Sequence, residues 1–195
     1  MQKIIVLLSA LLMTVSFGAA SAQPSDAARA PLGRIVDLWV TKTERMVVPA
    51  ADALPERAYG FTPTAGAFAG VRSFAEQVKH LAAANYQLAG RVLGEEPPAG
   101  TMNETAPASV KTKAEIMDYL RGSFESLHRA AARITVQNAE DPIVVGKETQ
   151  TGVGLVIDAI AHAQNHYGQI VEYLRMNRIV PPARSREPAA AFRVT

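Results

Sequence analysis

The chain has 195 residues, of which 48% are hydrophobic and 19% charged, with a formal net charge of +2 and no cysteine. This length predicts one folded domain large enough to bury a sizeable core. The absence of cysteine excludes disulfides and thiolate metal ligands. A net charge near zero, without a Lys/Arg run carrying interleaved aromatic residues, argues against nucleic-acid binding.

Residues 1–22 have the composition of a cleavable signal peptide. Lys3 provides a positive start, residues 4–17 are mostly apolar, and Ala20-Ser21-Ala22 forms a small-residue cleavage site. No later segment has the roughly 20 apolar residues that a membrane helix needs. We therefore expect a periplasmic or secreted protein that has no membrane contact after cleavage.

A flexible polar lead is expected over residues 23–30, and the first predicted helix runs from Pro31 to about Ala53. Its apolar residues recur at spacings of three and four, which is typical of a helix with one buried face. They are Leu32, Ile35, Val36, Trp39 and Val40. Pro49 lacks an amide hydrogen and is expected to kink or divide this helix. A connection rich in Gly and Pro follows.

The second predicted helix begins near Ser73 and ends at about Leu93, before Gly94 as a C-cap. Its expected core face consists of Phe74, Val78, Leu81, Asn85, Leu88 and Val92. His80 lies beside this face. Taken alone, a histidine in such a position is more often a hydrogen-bonded residue at the edge of the core than a metal ligand.

A capping box, Thr112-Lys113-Ala114-Glu115, predicts the start of the third helix after a loop rich in Pro, Gly, Ala and Ser. The expected core face consists of Ile116, Leu120, Phe124, Leu127, Ala131 and Ile134. His128 falls just off this face, so we expect it at a solvated edge. We do not include it among the metal ligands. The alternative is that it lies behind a ligand and orients it.

The fourth predicted helix begins between Thr149 and Gly152 and ends at about Asn177. Before it, residues 143–146 are expected to form at most a short extended stretch. The pattern as a whole is four helices joined by loops. It predicts an all-α four-helix bundle over residues 31–182, followed by a loosely held C-terminal tail at residues 183–195.

Two of the four histidines, His162 and His166, lie one turn apart in the fourth predicted helix. Residues spaced by four share a helix face, so both imidazoles can bind one metal ion. Zinc proteases carry a glutamate base directly after the first histidine of such a pair, but Ala163 occupies that position here. The alternative is two hydrogen-bonded histidines on a half-buried face with no further role.

The sequence resembles the DinB-like superfamily of four-helix bundles over about residues 32–182. The resemblance rests on the tract from His162 to Pro182, and on the tracts at residues 61–64 and 71–86. It implies a metal site with one histidine from the second helix and the H-x-x-x-H pair of the fourth, which here are His80, His162 and His166. Members with a known activity include thiol S-transferases and metal-dependent hydrolases, and relatives are often dimers, so a homodimer is implied as well.

Three neutral imidazoles would leave a coordination position open, as in catalytic rather than structural sites. All-nitrogen ligation suits a divalent ion such as zinc, nickel or iron. Asp158 and Glu76, each one turn before a histidine, are the nearest carboxylates and are candidates for orienting a ligand or accepting a proton. The alternative is that both are surface carboxylates. Gln169 and Tyr173 extend the same face, and Tyr173 fits the core equally well.

Two classes of function follow from these residues. In the first, the chain is a secreted metal-dependent hydrolase or thiol S-transferase that acts on an unidentified small-molecule substrate. In the second, it is a non-catalytic module that binds a metal or a small ligand. Ala163 in the place of a protease base weakens the first hypothesis, and the open coordination position weakens a purely structural role for the metal.

Overall fold

A computed structural model describes residues 31–102 and 104–182. The predicted signal peptide, the polar lead and the C-terminal tail lie outside the described residues and stay predictions. The described elements are helices α1 (Leu32–Ala53), α2 (Phe74–Leu93), α3 (Lys113–Arg133) and α4 (Gly152–Met176), with strands β1 (Pro142–Val145) and β2 (Glu148–Thr151). None of these helices combines the length and the apolar character needed to cross a membrane.

The four helices form a bundle in which α1 and α2 each pack against both α3 and α4. Helix α1 lies diagonally opposite α2, and α3 lies diagonally opposite α4. One continuous core fills the centre, and its largest fully buried side chains include Phe74, Phe124, Leu81 and Leu174. The predicted four-helix architecture is therefore confirmed. The α2–α4 interface brings together the two helices that carry the candidate ligands.

Local hydrogen bonds explain where the helices begin. Ser73 and Thr112 each accept a hydrogen bond from a backbone amide three residues on, and Glu76 and Glu115 reach back to the cap amides. Both are capping boxes, which satisfy otherwise orphaned amides in the first turn. The predicted starts of α2 and α3 are confirmed.

The predicted core face of α1 is wrong at two positions. Ile35 and Trp39 are 45% and 52% exposed, whereas Val36 and Val40 are buried as expected. The buried face of α1 consists largely of small residues: Gly33, Val36, Val40, Thr43, Val47, Ala50 and Ala51. Small residues let α1 approach α3 closely. The helix is therefore rotated so that these small residues, rather than Ile35 and Trp39, face the core.

The expected division of α1 at Pro49 does not occur. The helix continues through this residue to Ala53. Pro49 lies on the exposed side, while Ala50 and Ala51 are buried. Proline removes one helical hydrogen bond, and burial of the neighbouring residues in the core offsets that loss.

The chain also contains a β-hairpin, which corrects the expectation of a helical chain without strands. The predicted extended stretch at residues 143–146 corresponds to β1, which pairs antiparallel with β2 so that Ile143 faces Gln150. Gly146 has a φ of 63° in the two-residue turn, a conformation that favours glycine. Sequence periodicity missed β2 because Glu148-Thr-Gln-Thr has no alternation of apolar residues.

Candidate metal centre

The three candidate ligands meet at the interface between α2 and α4. His162 and His166 occupy successive turns of α4, and His80 faces them from α2. The Nε2 atom of His162 lies 3.2 Å from Nε2 of His80 and 3.0 Å from Nε2 of His166. The structure therefore brings together the three histidines that the sequence predicts, and their ligand atoms all lie within 4.8 Å of one another.

These separations fit a shared metal ion. Imidazole nitrogens bind zinc at about 2.0–2.1 Å, so two nitrogens at tetrahedral positions of one ion lie about 3.3 Å apart. The two short Nε2 separations, 3.0 and 3.2 Å, are close to that value. All three ligand atoms lie within 4.8 Å of one another, which is close enough for them to share one ion.

Hydrogen bonds behind the ligands fix the orientation of His166. Its Nδ1 lies 2.8 Å from Oε1 of Gln77. Nε2 of Gln77 donates to Oε1 of Gln169, and Nε2 of Gln169 donates to Oδ1 of Asn165. With its amide group turned in this way, Gln77 presents an acceptor, so Nδ1 of His166 carries the proton and the Nε2 lone pair faces the centre.

His80 is oriented in the same sense by the loop between α2 and α3. Its Nδ1 lies 3.1 Å from the main-chain oxygen of Glu104 and 3.4 Å from the carboxylate of the same residue. A carbonyl oxygen can only accept, so Nδ1 of His80 donates. The Nε2 lone pair of His80 is then free to bind a metal.

A count of ring protons favours a cation at the centre. With His80 and His166 protonated at Nδ1, only His162 can supply a proton to the Nε2 contacts, and that proton reaches one partner at most. The Nδ1 atom of His162 is buried and has no hydrogen-bond partner among the described residues. Without an ion, lone pairs therefore oppose one another. A cation bound to all three Nε2 atoms removes that repulsion.

The site also favours the neutral form of its imidazoles. Burial, together with the neighbouring His162 and His80, lowers the pKa of His166 to about 4. Burial, followed by the proximity of His80, likewise lowers the pKa of His162. A metal competes with protons for its ligands, and a neutral imidazole offers it a lone pair.

A cavity of about 380 Å³ adjoins His80 and opens to solvent. Charged side chains of both signs line it: Arg72, Glu76, Lys79 and Glu104. It is large enough for a small molecule. A bound molecule would therefore lie beside the α2 ligand.

The two predicted carboxylates do not contact the histidines through hydrogen bonds in the described part of the chain. Glu76 accepts from the amide and hydroxyl of Ser73, at 2.7 and 2.8 Å, and these bonds lower its pKa. Asp158 is exposed on α4, and its charge opposes the lowering of the His162 pKa. Glu76 lines the cavity beside His80, and Asp158 lies one turn before His162 on α4.

Of the other residues considered, Gln169 belongs to the hydrogen-bond chain described above, whereas Tyr173 belongs to the core. The Tyr173 ring packs against Phe61 and Phe74, and its hydroxyl donates to the main-chain oxygen of Arg72. His128 lies on α3, half-buried rather than at a solvated edge. Asp37 and Glu44 of α1 hold its two ring nitrogens at 2.5 and 3.1 Å.

Sequence reasoning missed two residues that orient the ligands, Gln77 and Glu104. Gln77 is a polar residue on a buried helix face, three residues before His80, and it is only 3% exposed. A polar residue at that position predicts a hydrogen bond to a neighbouring polar side chain, because a buried amide needs a partner. Glu104 lies in a loop without periodicity, so no pattern placed it beside His80.

Comparison with known proteins adds an independent observation. The family model of the DinB superfamily matches residues 40–170, from the middle of α1 into α4. The matched region includes all of the candidate ligands. No curated protein matches the chain. Because the family match covers more than half of the sequence and agrees with the helical fold, the chain belongs to the DinB superfamily.

Proposed function

We propose that this protein is a metal-dependent hydrolase or thiol S-transferase that acts on a small molecule through a divalent ion held by His80, His162 and His166. The observation that carries the proposal is the convergence of three histidines, one of which, His80, lines a cavity of about 380 Å³. Three nitrogen ligands leave a position for a substrate. Zinc, nickel and iron all suit this donor set.

Each residue of the centre has a definite part in this proposal. The bound ion supplies Lewis acidity, which activates a nucleophile or polarises the bond to be cleaved. Gln77 keeps His166 in the ligand tautomer through its 2.8 Å contact. The cavity positions the substrate beside His80. Glu76, which lines that cavity, and Asp158, one turn before His162, are our candidates for accepting a proton.

A second candidate function is a module that binds a metal or a small ligand without turnover. The observation that favours it is the engagement of Glu76 by Ser73, together with Ala163 in the position of a protease base. A base that is already hydrogen-bonded accepts a proton less readily. On this alternative the centre binds its ligand and releases it unchanged.

A substrate panel separates the two functions. Ester, amide and lactone hydrolysis, and transfer of a thiol to an electrophile, are measured with metal-loaded protein, with chelated protein, and after zinc, nickel or iron is added back. The enzyme hypothesis predicts activity that chelation abolishes and one of the metals restores. Activity that persists after complete demetallation contradicts it, and metal binding without turnover favours the binding module.

We also propose export and self-association. The composition of residues 1–22 supports cleavage after Ala22, and N-terminal sequencing of protein from the periplasmic fraction should begin at Gln23.

Three exposed apolar residues on α1 support a homodimer: Ile35, Leu38 and Trp39. Light scattering should give twice the chain mass, and a monomer at micromolar concentration would contradict the dimer.

A further inference from the structure

In the loop between α2 and α3, Glu104 contacts one of the candidate ligands, His80. Its main-chain oxygen and its carboxylate lie 3.1 and 3.4 Å from Nδ1 of His80. Both contacts are on the ring nitrogen that points away from the other histidines. Glu104 is therefore placed to act on the ligand rather than to be one.

The backbone at Glu104 is strained. Met102 and Thr105 exchange two main-chain hydrogen bonds, at 3.1 and 2.8 Å, across the turn that contains it. Within this turn Glu104 has a φ of 56°, in the left-handed region where glycine is favoured and a side chain costs free energy. Such strain is commonly found where the side chain itself has a role.

The carboxylate of Glu104 is not needed to form the turn. It is half-exposed, at 50%, and it lies at the wall of the cavity beside His80. Nothing in the turn requires a glutamate, since glycine would adopt the same backbone at lower cost. Within residues 31–102 and 104–182, the ion pair found for this side chain is the one with His80.

We propose that Glu104 is a positioning residue of the metal centre. Its carbonyl oxygen holds His80 with the proton on Nδ1, and its carboxylate places a negative charge beside the ring, which strengthens Nε2 as a ligand. With an ion bound to Nε2, His80 would link the carboxylate of Glu104 to the metal. This inference rests on the proposed function, because it requires that the centre binds a metal.

The test compares zinc affinity with the stability of the metal-free protein. Glu104→Gly keeps the carbonyl oxygen, relieves the backbone strain and removes the charge, whereas Glu104→Gln removes the charge with little change of shape. Arg178→Gly is the matched control. Arg178 is the other non-glycine residue with positive φ among the described residues, at 61°, and it lies beyond the end of α4.

Zinc affinity is measured by competition with a chelating dye at pH 7, and Tm is measured on chelated protein. We expect both Glu104 variants to bind zinc about 10- to 100-fold more weakly than the parent protein. Glu104→Gly and Arg178→Gly should both leave the Tm of the metal-free protein unchanged or higher. Arg178→Gly should bind zinc like the parent.

The outcomes distinguish this inference from the proposed function. If the parent protein binds zinc and both Glu104 variants bind it equally well, the role of Glu104 is refuted while the metal centre stands. If the parent binds no divalent ion, both are refuted. If Glu104→Gly destabilises the metal-free protein, Glu104→Gln decides: full affinity in that variant refutes the positioning role, and weakened affinity supports it.

Discussion

At the scale of single residues, His166 contacts both another candidate ligand and a residue that orients its ring. Its Nε2 lies 3.0 Å from that of His162, and its Nδ1 is held by Gln77. The ring is only 6% exposed. Removing it deletes a ligand and takes from Oε1 of Gln77 its contact with Nδ1 of the ring. These contacts make His166 the most direct probe of ligand identity.

We therefore expect His166→Ala to lose most of the metal bound by the parent protein, because two imidazoles hold a divalent ion far less tightly than three. Elemental analysis of protein dialysed against low metal measures the loss. His128→Ala is the matched control, since His128 contacts Asp37 and Glu44 rather than the ligands. Equal metal content in His166→Ala and the parent would remove His166 from the site.

The sequence predicted the ligands but not the residues behind them, for a physical reason. His162 and His166 share a helix face because of their spacing, and the resemblance to the DinB-like superfamily added His80. Glu104 is brought to His80 by the path of a loop, which carries no period. Tertiary contacts of this kind depend on how the bundle closes, so they became visible only in the fold.

At the scale of the elements, close helix packing depends on Gly33. A Cβ atom there would lie 2.5 Å from the carbonyl oxygen of Ala131 on α3. The predicted core face was based on the largest apolar residues and took no account of this close approach. The close approach explains why Ile35 and Trp39 are exposed. The helix boundaries of α2 and α3 were predictable from sequence because their capping boxes are local.

Gly33→Ala should therefore destabilise the protein by about 1–3 kcal/mol, as overpacking commonly does. Gly168→Ala is the control. It lies in α4 with nothing within 4 Å of the added Cβ, so it should be neutral or stabilise by up to about 1 kcal/mol. Urea unfolding of chelated protein measures both changes. Equal stability of the two variants would contradict the packing account of α1.

The His128 cluster should make the α1–α3 contact sensitive to pH. Burial alone would lower the pKa of His128, but the hydrogen bonds that the ring donates to Asp37 and Glu44, and the charges of these carboxylates, outweigh burial and raise the pKa above 6.5. A raised pKa in the folded state contributes stability that is fully present below pH 6.5 and is lost as the pH rises through the folded-state value.

We expect His128→Gln to cost more free energy of unfolding at pH 6 than at pH 9, because the parent loses the charged imidazole in alkaline solution. Urea titrations of chelated protein at the two pH values give the comparison. Asp37→Asn, which removes one of the partners, should reduce the same difference. A cost for His128→Gln that does not change with pH would show that the ion pairs do not stabilise the fold.

At the scale of the whole molecule, the bundle and its centre are coupled. The ligands come from α2 and α4, which adjoin one another, so an ion that binds them ties the two helices together. A metal at 100 times its Kd stabilises the folded state by about 2.7 kcal/mol. Metal binding and folding of this chain should therefore be linked.

The central claim is that His80, His162 and His166 hold one divalent ion, and metal content tests it most directly. The chain should be purified without an affinity tag and analysed by elemental mass spectrometry, beside the variant with all three histidines changed to alanine. We predict about one zinc, nickel or iron ion per chain in the parent protein and essentially none in the variant. Stoichiometric metal in the variant, or none in the parent after reloading with each ion, would contradict the claim.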